Sequence, residues 1–336
     1  MLEHGGQLDR AIARYGHPRE AWLDLSTGIN PQSYPLPPMP SQCWHRLPEP
    51  DPQLAAAAQD YYGTDALLAV AGSQAAIQAL PALIDGARVG ILAPSYNEHL
   101  HAWRGRQPRP LAFDAIDTTV DTLDVLIVVN PNNPTGTRVS RARLRDWHAR
   151  LAARGGTLVV DEAFADADPA DSLAADTGRE GLVVLRSLGK FFGLAGARVG
   201  FVLAATPLRE ALASRLGPWT LGGPAQFAAR CALADTAWQA QMRRHLAREG
   251  ARLATHLAQH GARGGAGTAL FYWQPTPDAA RWQDHLARHA IWVRRFDHPP
   301  ALRFGLPGDA SGWHRLDTAL SDGRRAGLRL HPRESE

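Results

Sequence analysis

Between residues 64 and 204, short apolar runs alternate with stretches of helical period. RVGILAP (88–94), VLIVVNPNN (125–133), TLVVDEAF (157–164), GLVVLRS (181–187) and RVGFVLA (198–204) are dense in branched aliphatic residues, and turn formers bound them. This pattern predicts strands buried on both faces. Residues 73–84, 140–154 and 207–216 repeat their apolar positions at helical spacing and predict helices between or after those strands. Apolar strands joined by helical crossovers predict an α/β domain with a mostly parallel sheet flanked by helices. After GPWTLGGP (217–224) the character changes. One long helical pattern fills 224–260 and closes at Gly261, a C-cap residue. ALFYWQP (269–275), a helix near 278–289, IWVRRF (291–296), ALRFGLP (301–307) and a helix near 312–320 then predict a smaller α+β domain. The first 45 residues are rich in Pro and Gly and show little periodicity. The expected organisation is an N-terminal segment, 1–45, packing on the small domain, a large domain at 46–218 and a small C-terminal domain at 219–336.

Composition narrows the class. The chain is 45% apolar and 21% charged over 336 residues, which fits a soluble globular protein. Cys43 and Cys231 cannot build a disulfide framework, so a reducing cytoplasm is expected. The opening MLEHGGQLDR lacks the basic and apolar regions of a signal peptide, and the apolar runs are too short to span a membrane. A net charge of +3, with acidic and basic residues interspersed, gives no footprint for nucleic acid. The 14 histidines show no ligand-spaced pair beside a second pair, and no metal is expected.

The candidate chemistry gathers at strand ends, where ligands of α/β sheets sit. TLVVDEAF delivers Asp161, VLIVVNPNN delivers Asn130 to Asn133, and GLVVLRS runs on to Ser187 and Lys190. Singly, each reads more readily as a cap or turn residue. Lys190 stands apart, because the 36 Lys and Arg residues include no other lysine. Arginine replaces lysine at most surface positions but cannot become a neutral amine near pH 7, so a lone lysine is a candidate nucleophile or Schiff-base former. AVAGSQAAIQAL (69–80) enters a helix through Gly72, which lets an anion approach the first amides at Ser73 and Gln74. Ser187 and Arg198 can donate to the same anion. A phosphate cup, an imine-forming lysine and a carboxylate able to hold a pyridinium proton are what pyridoxal 5'-phosphate requires.

SLGKFFGLAGARVG, with NPNNPTG and DEAF in order upstream, resembles the lysine signature of the fold-type I, class I/II aminotransferase superfamily, and the likeness covers nearly the whole chain. The resemblance implies the fold-type I architecture and a set of roles. Lys190 would carry the cofactor as a Schiff base, Asp161 would pair with the pyridine nitrogen, and Asn133 would hydrogen-bond the phenolic oxygen. Tyr96, in APSYNEH, would stack on the ring. Ser73, Gln74, Ser187 and Arg198 would hold the phosphate, and Arg303 would bind the substrate carboxylate.

A finer resemblance is to the threonine-phosphate decarboxylase family of cobalamin biosynthesis. HGGQ (4–7), WLDLSTGINPQSYP (22–35), GPWTLGGPAQ and the arginine pair Arg294 and Arg303 in WVRRF and ALRFG carry it, together with Phe164 where related aminotransferases have Tyr. It implies decarboxylation of a small phosphorylated amino acid, L-threonine O-3-phosphate, by a homodimer. His4, Gly5, Asn30, Arg294 and Arg303 are the implied substrate-binding residues. Which of the cationic groups takes carboxylate and which takes phosphate stays open. Two departures bear on the phosphate cup: Gly189 replaces the usual Ser or Thr before the lysine, and Leu47 stands where relatives have a tyrosine that reaches the neighbouring subunit. A histidinol-phosphate-type aminotransferase and a non-catalytic cofactor-binding regulator are the alternative readings.

Overall fold

The computed structural model describes residues 5–331. Its strands are β1 (Leu23–Leu25), β2 (Leu67–Val70), β3 (Val89–Leu92), β4 (Arg109–Leu111), β5 (Val125–Val129), β6 (Thr157–Asp161), β7 (Leu182–Ser187), β8 (Gly200–Ala204), β9 (Ala266–Gly267), β10 (Phe271–Pro275), β11 (Ile291–Asp297) and β12 (Pro300–Gly305). They form two sheets, one of seven strands in the order β2-β8-β7-β6-β5-β3-β4 and one of five in the order β1-β11-β12-β10-β9.

In the seven-stranded sheet, β4, β3, β5, β6 and β7 are mutually parallel, as expected. β8 departs from that pattern and runs antiparallel to both β7 and β2. The link from β7 to β8, residues 188–199, contains a turn and one 3-10 turn but no crossover helix, so the chain returns as a neighbour in the opposite direction. Every residue of β5 is buried, and Val125, Ile127, Val159, Val183, Leu185 and Val202 share one core with Ile77 and Leu212 from the covering helices. Each such side chain contributes roughly 1.5–3 kcal/mol on burial, which explains why these strands read as unbroken apolar runs.

The chain divides into two compact units, residues 33–133 with 137–242, and residues 1–32 with 134–136 and 243–336. This division differs from the expected boundary at 218/219, because the helix Gly223–Ala234 packs on the helix Pro52–Tyr62. The second unit contains the five-stranded sheet. There β1 pairs parallel to β11, and β12 lies antiparallel between β11 and β10. The N-terminal residues are more regular than their composition predicts. Leu8–Tyr15 is a helix capped by Gly16, and β1 joins the sheet through Leu23 opposite Ile291.

Two further differences have local causes. The helical pattern at 224–260 is two helices, Gly223–Ala234 and Thr236–Gln259. Asp235 breaks it, and its carboxylate accepts from Trp238 N at 2.9 Å as the N-cap of the second helix. Pro52–Tyr62, for which no helix was expected, starts at Asp51, whose side chain accepts from Gln53 N and Leu54 N, and ends at Gly63. Its run of four alanines weakens the amphipathic signal on which a sequence reading relies.

Candidate active site

The parallel directions of β3, β5, β6 and β7, and the double reversal through β8 to β2, bring five strand ends to one edge of the sheet. That edge collects Ser73 and Gln74 after β2, Tyr96 after β3, Asn133 after β5, Asp161 at the end of β6, and Ser187 and Lys190 at and after β7. Arg198 stands just before β8, which starts at the same edge.

Asp161 is the best-defined member. Its side chain is 4% exposed, and one carboxylate oxygen lies 2.9 Å from His99 Nε2. The other oxygen accepts from Ala163 N at 3.0 Å. His99 ends the APSYNEH stretch, which alone gives it no role, although it lies three residues after Tyr96, a spacing that puts the two on one helical face. The Tyr96 and His99 rings meet edge to face with centroids 6.1 Å apart. The Tyr96 hydroxyl donates to Gln74 Oε1 at 3.2 Å, and Gln74 Nε2 donates to Glu98 at 2.8 Å. Burial, assisted by the Glu98 and Asp161 carboxylates, pushes the Tyr96 phenol up to about 12 and keeps it neutral.

Glycine at positions 72 and 200 keeps the entrance to the helix Ser73–Ala79 free of side chains. Gly72 has φ +73°, and a Cβ there would come 2.7 Å from Arg198 Nη2. A Cβ at Gly200 would come 2.5 Å from Ser73 N. Ser187 pairs with Gly200 across β7 and β8, which places its hydroxyl at the same end, where it accepts from Gly189 N at 3.3 Å. At Gly189 a Cβ would sit 3.2 Å from Ala195 Cα and 3.4 Å from Ser187 Oγ, so glycine removes a hydroxyl and also relieves a tight contact.

Lys190 is half-buried, with Nζ 5.5 Å from the centroid of the buried Phe164 ring. Asn130 and Asn132 have structural work. The Asn130 side chain exchanges two hydrogen bonds with the Val139 backbone, and Asn132 Nδ2 donates to Pro94 O at 2.9 Å. Asn133 follows them, half-buried in the turn. Under the end of β6 lies a buried charge cluster. Arg186 donates to Glu162 at 2.6 Å and also to Asp166, and Leu173 N donates to Glu162 at 2.7 Å. Glu162 follows Asp161 directly, so this cluster fixes the backbone from which the Asp161 carboxylate projects.

In the other unit, Arg294 on β11 lies directly opposite Arg303 on β12. Like charges in that relation repel and favour an anion between or beside them. Arg303 is 6% exposed, and burial, with the Arg294 charge, pulls its guanidinium down to about 10. It donates to Ser26 O at 2.7 Å. Gly5 packs on the same carbonyl, since a Cβ there would lie 2.3 Å from Ser26 O, and Gly6 N donates to Ser26 Oγ at 2.8 Å. Ser26 thus joins the expected residues Gly5 and Arg303; it lies in the WLDLSTGINPQSYP stretch, but nothing in that stretch alone gives it a role. Asn30 is buried and accepts from Gln32 N at 2.9 Å, shaping the loop that follows. His4 lies outside the described residues.

A family model described as aminotransferase class I and II matches residues 41–324. The chain belongs to that family. It is 53% identical to threonine-phosphate decarboxylase from Pseudomonas aeruginosa, over 95% of this chain and 97% of that protein. It is 43% identical to threonine-phosphate decarboxylase from a Sinorhizobium species, over 95% and 98%. Among solved structures, histidinol-phosphate aminotransferase from Sinorhizobium meliloti, in complex with pyridoxal-5'-phosphate, superposes with a TM-score of 0.80 at 19% identity, covering 97% of this chain and 96% of that one. The architecture is the fold-type I fold of this family.

Proposed function

We propose that this chain decarboxylates L-threonine O-3-phosphate to (R)-1-aminopropan-2-yl phosphate and CO2, with pyridoxal 5'-phosphate as cofactor, for the aminopropanol arm of cobalamin. The observation that carries this reading is the 53% identity to a threonine-phosphate decarboxylase over 95% of the chain. The cofactor fits what the chain offers: Gly72 and Gly200 leave room beside Arg198 and Ser73 for a phosphate, and Asp161 is a buried carboxylate held by two hydrogen bonds. When bound, the cofactor supplies an electron sink for the charge left at the substrate Cα.

The residues have separable tasks. Ser73, Gln74, Ser187 and Arg198 hold the phosphate through neutral and charge-assisted bonds. Asp161, aimed by His99, would pair with the cofactor's ring nitrogen and favour its protonated form in a water-poor setting. Asn133 would donate to the cofactor's phenolic oxygen, and Tyr96 would cover the ring as a neutral phenol. Lys190 Nζ would hold the cofactor covalently, and its amine would carry a proton to the substrate Cα after CO2 departs. Arg294 and Arg303, with His4, Gly5 and Asn30, bind the substrate's two anionic groups and thereby select which bond at Cα breaks. The Cα–carboxylate bond breaks, its electron pair stays with the remaining fragment, and one proton replaces the carboxylate, so atoms and charge balance.

The same reading makes the protein a cytoplasmic homodimer. Among the described residues no helix is long and apolar enough to cross a membrane. Trp44, Leu47 and Trp219 are 70%, 65% and 58% exposed in the single chain, and residues 43 and 223 adjoin, since a Cβ at Gly223 would lie 2.3 Å from Cys43 O. Such apolar exposure supports a covered face.

The test is phosphorus NMR of cofactor-loaded protein with L-threonine O-3-phosphate and no keto acid. Aminopropanol phosphate is the expected product. Unchanged substrate, with glutamate formed from histidinol phosphate only when 2-oxoglutarate is present, would identify an aminotransferase instead. Cofactor binding with no turnover of either substrate would leave a regulator.

A further inference from the structure

The helix Thr236–Gln259 ends beside the helix Ala310–Arg325, and three potential metal ligands meet there, all within residues 243–336 of one compact unit. His256 lies in the last turn of the first helix. His260 follows its end, and His260 N still donates to His256 O at 3.3 Å, so both rings face the same way one turn apart, with centroids 5.0 Å from each other. Asp317 reaches them from the second helix. One nitrogen of each ring and one carboxylate oxygen lie within 4.8 Å of one another. Asp317 Oδ1 is 2.9 Å from His260 Nε2 and 3.7 Å from His256 Nε2.

We propose that His256, His260 and Asp317 bind one divalent first-row transition-metal ion, with zinc the expected occupant. Ligands about 2.1 Å from a tetrahedral zinc stand about 3.4 Å apart, and the two Asp317 separations bracket that value. His256 Nε2 is buried and makes no hydrogen bond to another group, an arrangement that a cation relieves. The carboxyl end of a helix adds negative potential at the same place. Trp313 meets the His256 ring edge to face at 5.6 Å and donates to Glu249 at 3.1 Å, which fixes the wall behind the imidazole. Arg252 brings a positive charge nearby, but it stacks on Trp313 at 4.1 Å and pairs with Glu249. The Asp317 side chain is 52% exposed, leaving an entry path and a fourth position for water. Two imidazoles and one carboxylate suit zinc, cobalt or nickel, whereas calcium and magnesium favour all-oxygen shells. The third ligand lies 57 residues beyond His260, so no local motif announces the set. The ion would clamp the end of one helix to the middle of the other.

The test uses chelator-treated, cofactor-loaded full-length protein. Calorimetric titration with Zn2+ and elemental analysis after desalting should give one ion per chain, and Co2+ should develop the visible bands of a tetrahedral site. His256→Gln and Asp317→Asn should each weaken Zn2+ binding at least about tenfold and abolish the Co2+ bands, while the cofactor colour persists. Failure to retain one zinc per chain, the absence of tetrahedral Co2+ bands in the unaltered protein, or unchanged affinity in both variants would overturn the assignment.

Discussion

His99 Nε2 sits 2.9 Å from an Asp161 carboxylate oxygen, and both side chains are almost sealed from solvent. A buried carboxylate needs its lone pairs occupied, and this pair occupies one while leaving Asp161 fixed in direction. His99 acts through Asp161 and is a positioning residue. His99→Gln should lower kcat roughly ten- to hundredfold, the worth of one charge-assisted bond, with KM little changed. Steady-state kinetics checks the split; an equal rise in KM with kcat intact would assign His99 to substrate binding.

Lys190 has a sharper expectation. Lys190→Ala and Lys190→Arg should both lose the yellow absorbance of the bound cofactor and all measurable turnover, because neither side chain offers a neutral amine. Visible spectroscopy of the purified variants decides it, and an unchanged spectrum would remove Lys190 from the site.

Arg294 and Arg303 face each other across β11 and β12. Arg303→Met should raise KM for the phosphorylated substrate roughly a hundredfold and leave the cofactor spectrum intact. Because the change also relieves repulsion between two close guanidinium groups, thermal stability of the substrate-free protein should hold. Loss of cofactor with KM unchanged would reverse the division of labour between the cationic residues.

Asp124 offers a pH test of stability away from the chemistry. Bonds from the Arg88 side chain and backbone and from Ala87 N pull its carboxyl down from 3.8 to about 2. A depressed folded value means that the stabilisation is complete above pH 3.8 and fades as pH falls toward 2. Asp124→Asn should therefore cost about 1 kcal/mol near neutral pH, a figure kept small because the site is partly solvated. Denaturant titrations across that range should show the two proteins converging in acid.

The sequence makes the strand ends legible because a buried strand and the polar residue that ends it are neighbours in the chain. Asp161, Ser187 and Gly72 were readable for that reason. His99 and Ser26 were harder to read, since their significance depends on Asp161, 62 residues away, and on Arg303, 277 residues away. β8 has the apolar look of its parallel neighbours but reverses direction, and periodicity carries no sign of direction. The break at Asp235 is a single capping residue inside an otherwise continuous helical pattern, and the helix Pro52–Tyr62 is hidden by its alanines.

In the proposed reaction, the bond broken at Cα is the one to the carboxylate. Mass spectrometry of products from L-threonine O-3-phosphate carrying carbon-13 in its carboxyl group, turned over in deuterium oxide without a keto acid, tests it directly. The expected products are labelled CO2 and aminopropanol phosphate bearing one deuterium at the carbon that lost the carboxylate. Label retained in the phosphorylated compound, with deuterium exchanged into Cα, would show that the protein breaks Cα–H and would rule out the decarboxylase.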